Sequence, residues 1–474
     1  MKKTFAIILT IAILLSMVAC SNTTTTSENS SNQTEITTTI SEEPTTEPSE
    51  STTSPTTAPV EELATFKKNA TIPETVLFEE NGVKISATAL NYGNYSVDLD
   101  LLIENNSEKE LSFISGSVGY SCNSVNGYMI NDGYLNCDVA AGKKAYDTIS
   151  FDYDALMLYG IYEIADIEIG FDISDDSYEH IYTGPCQLKS SAYDTYNYTE
   201  NTYQTSITKP AVMEAFEYTV NHFTYEASYD VAGIQLLSAC VIENQDSEIM
   251  LLLELENTTD TMISICTSDI ALNGMKVCDS TWSSDTISPH KYGIIDVKLT
   301  SVLDEEFWSV YGIEEVANID IALHQNDSEG NKITEPQLIK ISIPNAIETF
   351  DAEGTEVYNN NGIRIVAKEI VDDSSEYSDD IYVLLFAENH SGNTIKIEDV
   401  YNSLSVNGFM TNFSCPAMEI EDGERGILEI QLWGYSLEDN KIQSASDITE
   451  VEVSFEIKEG RNVIDTATIK IIPQ

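Results

Sequence analysis

The stretch Ile249–Asn257, with the sequence IMLLLELEN, decides the fold of this chain of 474 residues. A short apolar run that stops at turn residues is typical of a strand buried on both faces for part of its length. The pattern occurs twice more, as VDLDLLIEN at Val97–Asn105 and IYVLLFAEN at Ile381–Asn389. A Ser or Thr follows each Asn two residues later, and such residues end strands and form turns. The same letters form a glycosylation sequon, the alternative interpretation.

Four further patterns flank this strand in the same order in each copy, and a fixed order of patterns indicates tandem duplication. They are a Gly turn before an alternating strand, an Asn-Gly turn, a second turn with a basic or acidic residue, and a closing strand. Their positions are Gly82, Asn126-Gly127, Gly142-Lys143 and 164–171 in the first copy, Gly233, Asn273-Gly274, His290-Lys291 and 316–323 in the second, and Gly362, Asn407-Gly408, Gly423-Glu424 and 448–455 in the third.

Each copy contains about seven short strands separated by turn residues, and long amphipathic helices are not predicted. The sequence therefore predicts an all-β protein of three tandem antiparallel Ig-like β-sandwich domains, each with its own core. Asn-Gly between apolar residues predicts a type I′ hairpin, which needs positive φ at both positions. An exposed ligand-binding loop is the alternative interpretation of these turns. The predicted repeats span residues 71–192, 214–346 and 347–474, with a connector at 193–213 after the first repeat.

A tripeptide marks two of the three copies. Short helical turns are expected just before Tyr159-Gly160-Ile161 and Tyr311-Gly312-Ile313, whereas the third copy lacks the tripeptide.

Residues 1–19 have the features of a secretion signal, with Lys2 and Lys3 before an uncharged segment. The stretch Met17-Val18-Ala19-Cys20 resembles the lipobox of bacterial lipoproteins, with Met17 in place of the usual Leu. This resemblance implies lipid attachment at Cys20. The alternative is an ordinary secretory signal that contains a cysteine.

Residues 20–70 are predicted to be a disordered linker between the lipid and the first repeat. Of the 38 residues from Ser21 to Ala58, 22 are Ser or Thr, so burial cannot offset the entropy of ordering them. A recognition motif within this segment is the alternative.

Lipobox, linker and repeats together resemble clostridial, low-GC Gram-positive surface lipoproteins with tandem Ig-like domains of unknown function. The resemblance implies a location on the outer face of the cell membrane and no active site.

The charge balance excludes several partners. The chain has 79 Asp and Glu against 23 Lys and Arg, a formal charge of −56. Nucleic acids and anionic lipid headgroups are repelled by such a charge, so a nucleic-acid partner is not expected. Five His, no Cys-x-x-Cys and none of the common catalytic motifs are present, so no cofactor, metal or catalytic residue is assigned. Acidic stretches at 172–179 and 372–380 are interpreted as solvated loops, with Ca²⁺ binding as the alternative.

Cysteines bracket the Asn-Gly turn in two copies. Cys122 with Cys137, and Cys266 with Cys278, are possible disulfides, since export permits such bonds. Reduced, half-buried thiols are the alternative.

Tyrosines concentrate in the connector, at 193, 196, 198 and 203. Exposed aromatics bind sugars or protein partners, whereas a connector packed between two sandwiches explains the same residues.

The function predicted from these features is a non-enzymatic surface binding protein for an extracellular protein, glycan or envelope partner. A purely architectural spacer is the first alternative, and a glycan hydrolase that uses a carboxylate pair is the second.

Overall fold

The computed structural model of the protein describes residues 63–116, 122–277, 283–303, 305–373 and 378–473. Strands make up 52% and helices 8% of it, and the sheets are antiparallel or mixed. The predicted all-β sandwich fold is confirmed. The predicted signal, Cys20 and most of the predicted linker lie outside the described residues.

The described part of repeat 1 contains ten strands and one short helix. Its elements are β1 (Thr75–Glu80), β2 (Val83–Tyr92), β3 (Ser96–Asn105), β4 (Leu111–Ser115), β5 (Ser124–Val125), β6 (Tyr128–Met129), β7 (Leu135–Val139), β8 (Lys143–Asp152), α1 (Tyr153–Leu158), β9 (Asp166–Ser174) and β10 (His180–Lys189).

A 3₁₀ helix (Tyr193–Thr195) and two short α-helices form the connector, and repeat 2 follows. The elements are α2 (Thr202–Ser206), α3 (Pro210–Ala215), β11 (Tyr218–Thr224), β12 (Asp230–Val231), β13 (Ile234–Asn244), β14 (Ile249–Asn257), β15 (Ile263–Leu272), β16 (Met275–Lys276), β17 (Ser284–Ile287), β18 (Tyr292–Lys298), α4 (Leu299–Val302), α5 (Glu305–Trp308), β19 (Asn318–Asn326) and β20 (Gln337–Ser342).

The described part of repeat 3 has one short strand more than that of repeat 1, in an otherwise similar order. Its elements are β21 (Thr355–Asn360), β22 (Ile363–Asp372), β23 (Ile381–Asn389), β24 (Ile395–Asp399), β25 (Ser405–Val406), β26 (Phe409–Met410), β27 (Phe413–Ser414), β28 (Met418–Ile420), β29 (Arg425–Leu432), α6 (Gly434–Asp439), β30 (Val451–Glu459) and β31 (Asn462–Ile471).

Each repeat is a sandwich of two sheets. In repeat 1 the first sheet has the order β1-β2-β3-β8, and repeat 3 has the equivalent order β21-β22-β23-β29. The apolar strand that identified the repeats, β3, β14 or β23, lies at the centre of this sheet in each case. The second sheet contains the closing strand β9, β19 or β30, paired with the strand that follows it.

The sheets continue from one repeat into the next. β6 of repeat 1 pairs in parallel with β18 of repeat 2, with Tyr128 opposite Tyr292. β16 of repeat 2 pairs in parallel with β29 of repeat 3, with Met275 opposite Arg425. These joins produce sheets of 11 and 10 strands. The sequence did not predict them, because the paired residues lie in different copies of the pattern.

The cores are joined as well. The apolar cluster of repeat 2 includes Met129 from repeat 1 and Val366, Leu384, Phe386 and Ile427 from repeat 3. The expectation that each repeat has a separate core is therefore wrong for repeat 2. Repeat 3 has a further cluster inside its own sandwich.

The predicted linker ends earlier than residue 70. Phe66 and Ala70 are buried, and the Phe66 ring lies 4.6 Å from the Tyr153 ring, centroid to centroid. Lys67 N donates to Tyr162 O at 2.7 Å. Residues from Thr65 onward belong to the same compact unit as the repeats. One aromatic residue in a polar stretch is a weak local signal, and only the contact with repeat 1 makes it part of the fold.

The predicted type I′ turns are confirmed in all three repeats. The Asn residues 126, 273 and 407 have φ of 49°, 50° and 52°, and the glycines that follow have φ of 93°, 71° and 80°. Positive φ at both central residues is the conformation that Asn-Gly favours.

Candidate binding surface

The three Asn-Gly hairpins are fastened to their sandwiches in the same way. The Oδ1 atoms of Asn126, Asn273 and Asn407 each accept hydrogen bonds from backbone N–H groups at the start of the closing strand. Each Nδ2 donates to a backbone carbonyl just before that strand. Each hairpin is therefore held in an equivalent position at the same end of its repeat.

The hairpin of repeat 1 is buried against repeat 2. Tyr128 is 3% exposed, and its ring lies 5.1 Å from the Tyr292 ring. Tyr292 N donates to Gly127 O at 2.9 Å. The next residue, Met129, accepts a hydrogen bond at Sδ from Ser288 N at 3.5 Å.

The hairpin of repeat 2 is buried against repeat 3. Met275 is fully buried, opposite Arg425 in the parallel pair. The Arg425 guanidinium lies 3.6 Å from the centroid of the Phe350 ring, and its Nη2 lies 3.9 Å from Glu348 Oε1.

The hairpin of repeat 3 is exposed. Phe409 is 55% and Met410 61% exposed, whereas the equivalents Tyr128, Met129 and Met275 are buried and Lys276 is half-buried. Nearby, Tyr435 is exposed and its ring lies 5.7 Å from that of the half-buried Trp433. Asn412 Nδ2 donates to Tyr435 Oη at 3.3 Å, which links the two parts. We call these four residues, Phe409, Met410, Trp433 and Tyr435, the terminal patch.

A buried carboxylate organises the junction between repeats 1 and 2. Glu254 Oε1 accepts from Asn201 Nδ2 at 2.5 Å, and Oε2 accepts from Gln204 Nε2 at 2.6 Å and Ser238 Oγ at 2.7 Å. Asn201 Oδ1 in turn accepts from Tyr128 Oη at 3.1 Å. Burial raises the pKa of Glu254, while the three donors oppose that shift. The carboxylate thus connects the connector with the first hairpin and the central strand of repeat 2.

The connector tyrosines pack on repeat 1 and in this junction. Tyr203 is buried, and Tyr198 Oη donates to Asp166 Oδ1 at 3.0 Å. The Tyr196 ring lies 4.8 Å from the Tyr198 ring. These contacts match the packed-connector interpretation, although Tyr198 is 40% exposed.

The Tyr-Gly-Ile tripeptide is a junction element. A Cβ on Gly160 would lie 2.3 Å from Thr202 O, and one on Gly312 would lie 2.7 Å from Asp351 N, so each glycine admits the chain that leads to the next repeat. Tyr311 Oη donates to Leu385 O of repeat 3 at 3.2 Å. Repeat 3 has Asn440-Lys441-Ile442 at the equivalent turn, with the same backbone hydrogen bonds as in repeat 1. The tripeptide therefore occurs in the two repeats that contact a following repeat.

Asp285, a half-buried acid on β17 of repeat 2, is expected to make the stability of the fold depend on pH. Burial, and secondarily the Asp296 carboxylate, raise the pKa of Asp285 to about 7. Thr286 N donates to Asp285 Oδ1 at 2.7 Å. The pKa of this acid is higher in the folded protein than its unfolded value of about 3.9, so Asp285 stabilises the fold at a pH below that unfolded value. That stability is lost as the pH rises through the folded pKa.

We expect Asp285→Asn to raise the free energy of unfolding at pH 8 by about 1–2 kcal/mol, because the amide carries no charge to desolvate. The gain should vanish near pH 4, where Asp285 is protonated. Urea denaturation at several pH values measures the difference. Equal effects at both pH values would show that Asp285 does not titrate in this way.

The cysteines with predicted roles are free thiols wherever they are described. Cys122 is buried and Cys137 half-buried on β7, and no bridge joins them; Cys266 is also free. Burial raises the pKa of Cys122 to about 12 and that of Cys137 to about 11, which keeps both thiols protonated. Cys278 and Cys20 lie outside the described residues.

The acidic stretches serve local structure where they are described. Asp172 Oδ1 lies 2.8 Å from His180 Nδ1, and Asp175 contacts Lys109 and Ser177. Among the described residues, no group of three or more His, Cys, Asp or Glu is arranged to hold a metal ion.

Comparisons with known proteins give weak structural similarities alone. No family model matches the chain, and no curated protein matches it. A Porphyromonas gingivalis W83 protein of unknown function is 11% identical over 48% of this chain and 91% of its own, with a TM-score of 0.14. Red sea bream transglutaminase is 8% identical over 56% of this chain and 32% of its own, with a TM-score of 0.14.

The exo-chitosanase CsxA of Amycolatopsis orientalis is 7% identical over 85% of this chain and 78% of its own, with a TM-score of 0.17. At these TM-scores none of the similarities carries an argument about this protein.

Proposed function

We propose that the chain is a non-enzymatic binding protein, attached through Cys20 to the outer face of the cell membrane, whose terminal patch binds a protein partner. One observation carries this proposal. The equivalent hairpin is buried against the next repeat in repeats 1 and 2, and it is exposed in repeat 3.

The chemistry of the patch supports a protein partner. Trp, Tyr, Phe and Met are enriched at protein interfaces, and adjacent exposed apolar side chains mark interaction sites. The exposed hairpin also offers a backbone edge, and in repeats 1 and 2 the equivalent edge pairs with a strand of the next repeat. A partner with an open strand edge therefore fits this surface.

A photo-crosslinking amino acid at position 409, introduced in cells that express the full chain, tests the proposal. We expect a covalent adduct with a protein on irradiation, because Phe409 is an exposed residue of the patch. The control is the same crosslinker at Tyr95, which is 82% exposed in a turn of repeat 1. Equal labelling at both positions, or none at 409, would contradict a binding role for the patch.

Membrane attachment is tested separately at Cys20. Replacing Cys20→Ala should leave unprocessed precursor without lipid, because the thioether forms on that sulfur. Metabolic labelling with palmitate measures it, and a Cys20→Ala protein that still takes up label would refute the assignment. None of the helices in the described part of the chain is long and apolar enough to span a bilayer.

A further inference from the structure

We infer that the partner of the terminal patch is a second copy of this chain, whose repeat 1 accepts the hairpin on the outer edge of β8. This inference rests on the proposed function. Two copies would join in the same way as repeat 1 joins repeat 2, and repeat 2 joins repeat 3, within one chain.

The strands that accept a hairpin are equivalent in the three repeats. Lys144, Tyr292 and Arg425 each lie opposite the Glu of the Glu-Asn motif in the neighbouring strand. Tyr292 and Arg425 are the residues that face an incoming hairpin, at Tyr128 and Met275. The hairpin residue of repeat 3 at this position is Phe409. Lys144 is the equivalent acceptor position that no hairpin occupies in the described part of the chain.

The acceptor edge of repeat 1 is open in the described part of the chain. β8 is the last strand of its four-stranded sheet, whereas β18 and β29 have neighbours on both sides. Lys143 and Lys144 are exposed, and Tyr146 is 81% exposed. An edge strand with free backbone groups is a template for pairing with another chain.

An ion pair connects the two surfaces at one of the two joins within the chain, whereas at the join of repeats 2 and 3 the equivalent positions hold Asp320 and Glu424. At the join of repeats 1 and 2, Lys291 Nζ lies 2.6 Å from Glu168 Oε1, and both side chains are largely buried. Lys291 directly precedes Tyr292, as Lys143 directly precedes Lys144. Glu168 lies opposite Ser124 in its hairpin, as Glu452 lies opposite Ser405.

Lys143 and Glu452 are both exposed. Lys143 of repeat 1 and Glu452 of repeat 3 are therefore the counterparts of the ion pair between Lys291 and Glu168.

The contact between copies is expected to be reversible. Tyr159 and Tyr311 contribute to the joins within the chain, and Asn440 occupies the equivalent position in repeat 3. The contact between copies therefore buries one aromatic residue fewer than each join within the chain. Because donor and acceptor are different surfaces, the contact is heterologous and extends into linear assemblies instead of closing as a dimer.

Sedimentation velocity of residues 21–474, from micromolar to millimolar concentration, tests the inference. We expect the average mass to rise with concentration beyond that of a dimer. Lys143→Glu and Glu452→Lys should each weaken association by about tenfold or more, because each places like charges opposite one another. The double variant should restore association. A chain that stays monomeric at all concentrations, or a double variant no better than the single ones, would overturn the inference.

A mixing experiment tests the head-to-tail arrangement. Phe409→Asp blocks the donor hairpin, and Lys144→Pro removes the acceptor N–H, which faces away from β3 as Tyr292 N faces away from β14. Proline at a solvent-facing edge position is tolerated by a sheet. Each variant alone should be monomeric, and their mixture should form a one-to-one dimer that does not grow. Association by either variant alone, or no complex in the mixture, would contradict the arrangement.

Tyr95→Asp is the matched control, since it places a charge on an exposed aromatic residue away from both surfaces and should leave association unchanged. Melting temperatures equal to that of the unsubstituted chain show that the variants are folded.

The crosslinked adduct at position 409 separates this inference from the proposed function. An adduct containing peptides from around Lys144 of the same protein supports both. An adduct with a different protein keeps the binding function and overturns self-association, and a lack of any adduct overturns both.

Discussion

Replacing Gly160 with alanine is expected to lower the free energy of unfolding by about 2–5 kcal/mol and to separate repeat 1 from the connector. Two effects add. Gly160 has φ of +71°, a conformation that costs L-residues about 1–2 kcal/mol. A Cβ there would also lie 2.3 Å from the carbonyl oxygen of Thr202, so the connector must move, which costs about 1–3 kcal/mol.

Gly142→Ala is the matched control for this prediction. Gly142 has φ of +68°, and a Cβ there has nothing within 4 Å. Its cost should therefore be the backbone term alone, about 1–2 kcal/mol. Urea denaturation of both variants measures the difference. Equal losses would show that the contact of Gly160 with the connector does not contribute to stability.

Asn257→Ala is expected to lower the free energy of unfolding by about 2–4 kcal/mol. The side chain is fully buried, and Nδ2 donates to Thr261 O and Ile287 O, both at 2.8 Å. Oδ1 accepts from Thr259 N at 2.9 Å and Thr259 Oγ1 at 2.7 Å. Truncation leaves the buried carbonyl of Ile287 without its donor, which costs about 1–3 kcal/mol, and it also removes the bonds that hold the partly exposed turn at Thr259 and Thr261.

Two further variants identify the cause of that loss. Asn257→Asp keeps the shape and removes both donors, so it should destabilise at least as much as alanine at neutral pH. Asn221→Ala, an exposed Asn in the same repeat, should change stability by less than about 0.5 kcal/mol. Thermal and urea unfolding check both, and a mild effect of Asn257→Asp would mean that the amide donors are not needed.

The three Glu-Asn motifs show how far the sequence could lead. A turn after each strand is predicted because Asn and Ser favour turns. In the structure these residues have a further role. Asn105, Asn257 and Asn389 each donate a hydrogen bond from the end of the strand to a backbone carbonyl about 30 positions later. The Nδ2 atom that glycosylation would modify is buried in each case and donates twice. A distant carbonyl leaves no mark in the local sequence, so the bond could not be predicted.

Of the terminal patch, only the Asn-Gly hairpin was predicted from the sequence. The Asn-Gly hairpins and their positions follow from local turn chemistry, because positive φ at two successive residues selects Asn-Gly. Exposure of Phe409 does not, since the pattern Ser-Val-Asn-Gly precedes both buried Tyr128 and exposed Phe409. The missing Tyr-Gly-Ile tripeptide in repeat 3 was the one available signal, and its meaning required the junction to be seen.

By itself the sequence determined the strands, the turns and their threefold repetition, since alternation and turn preference act between residues close along the chain. The tertiary structure alone decided that Phe66 belongs to repeat 1, that Glu254 lies buried among three donors, and that one hairpin completes the sheet of the next repeat. The physical reason is that these contacts join residues far apart in the chain, and their energies depend on burial and register, which form only when whole sheets pack together.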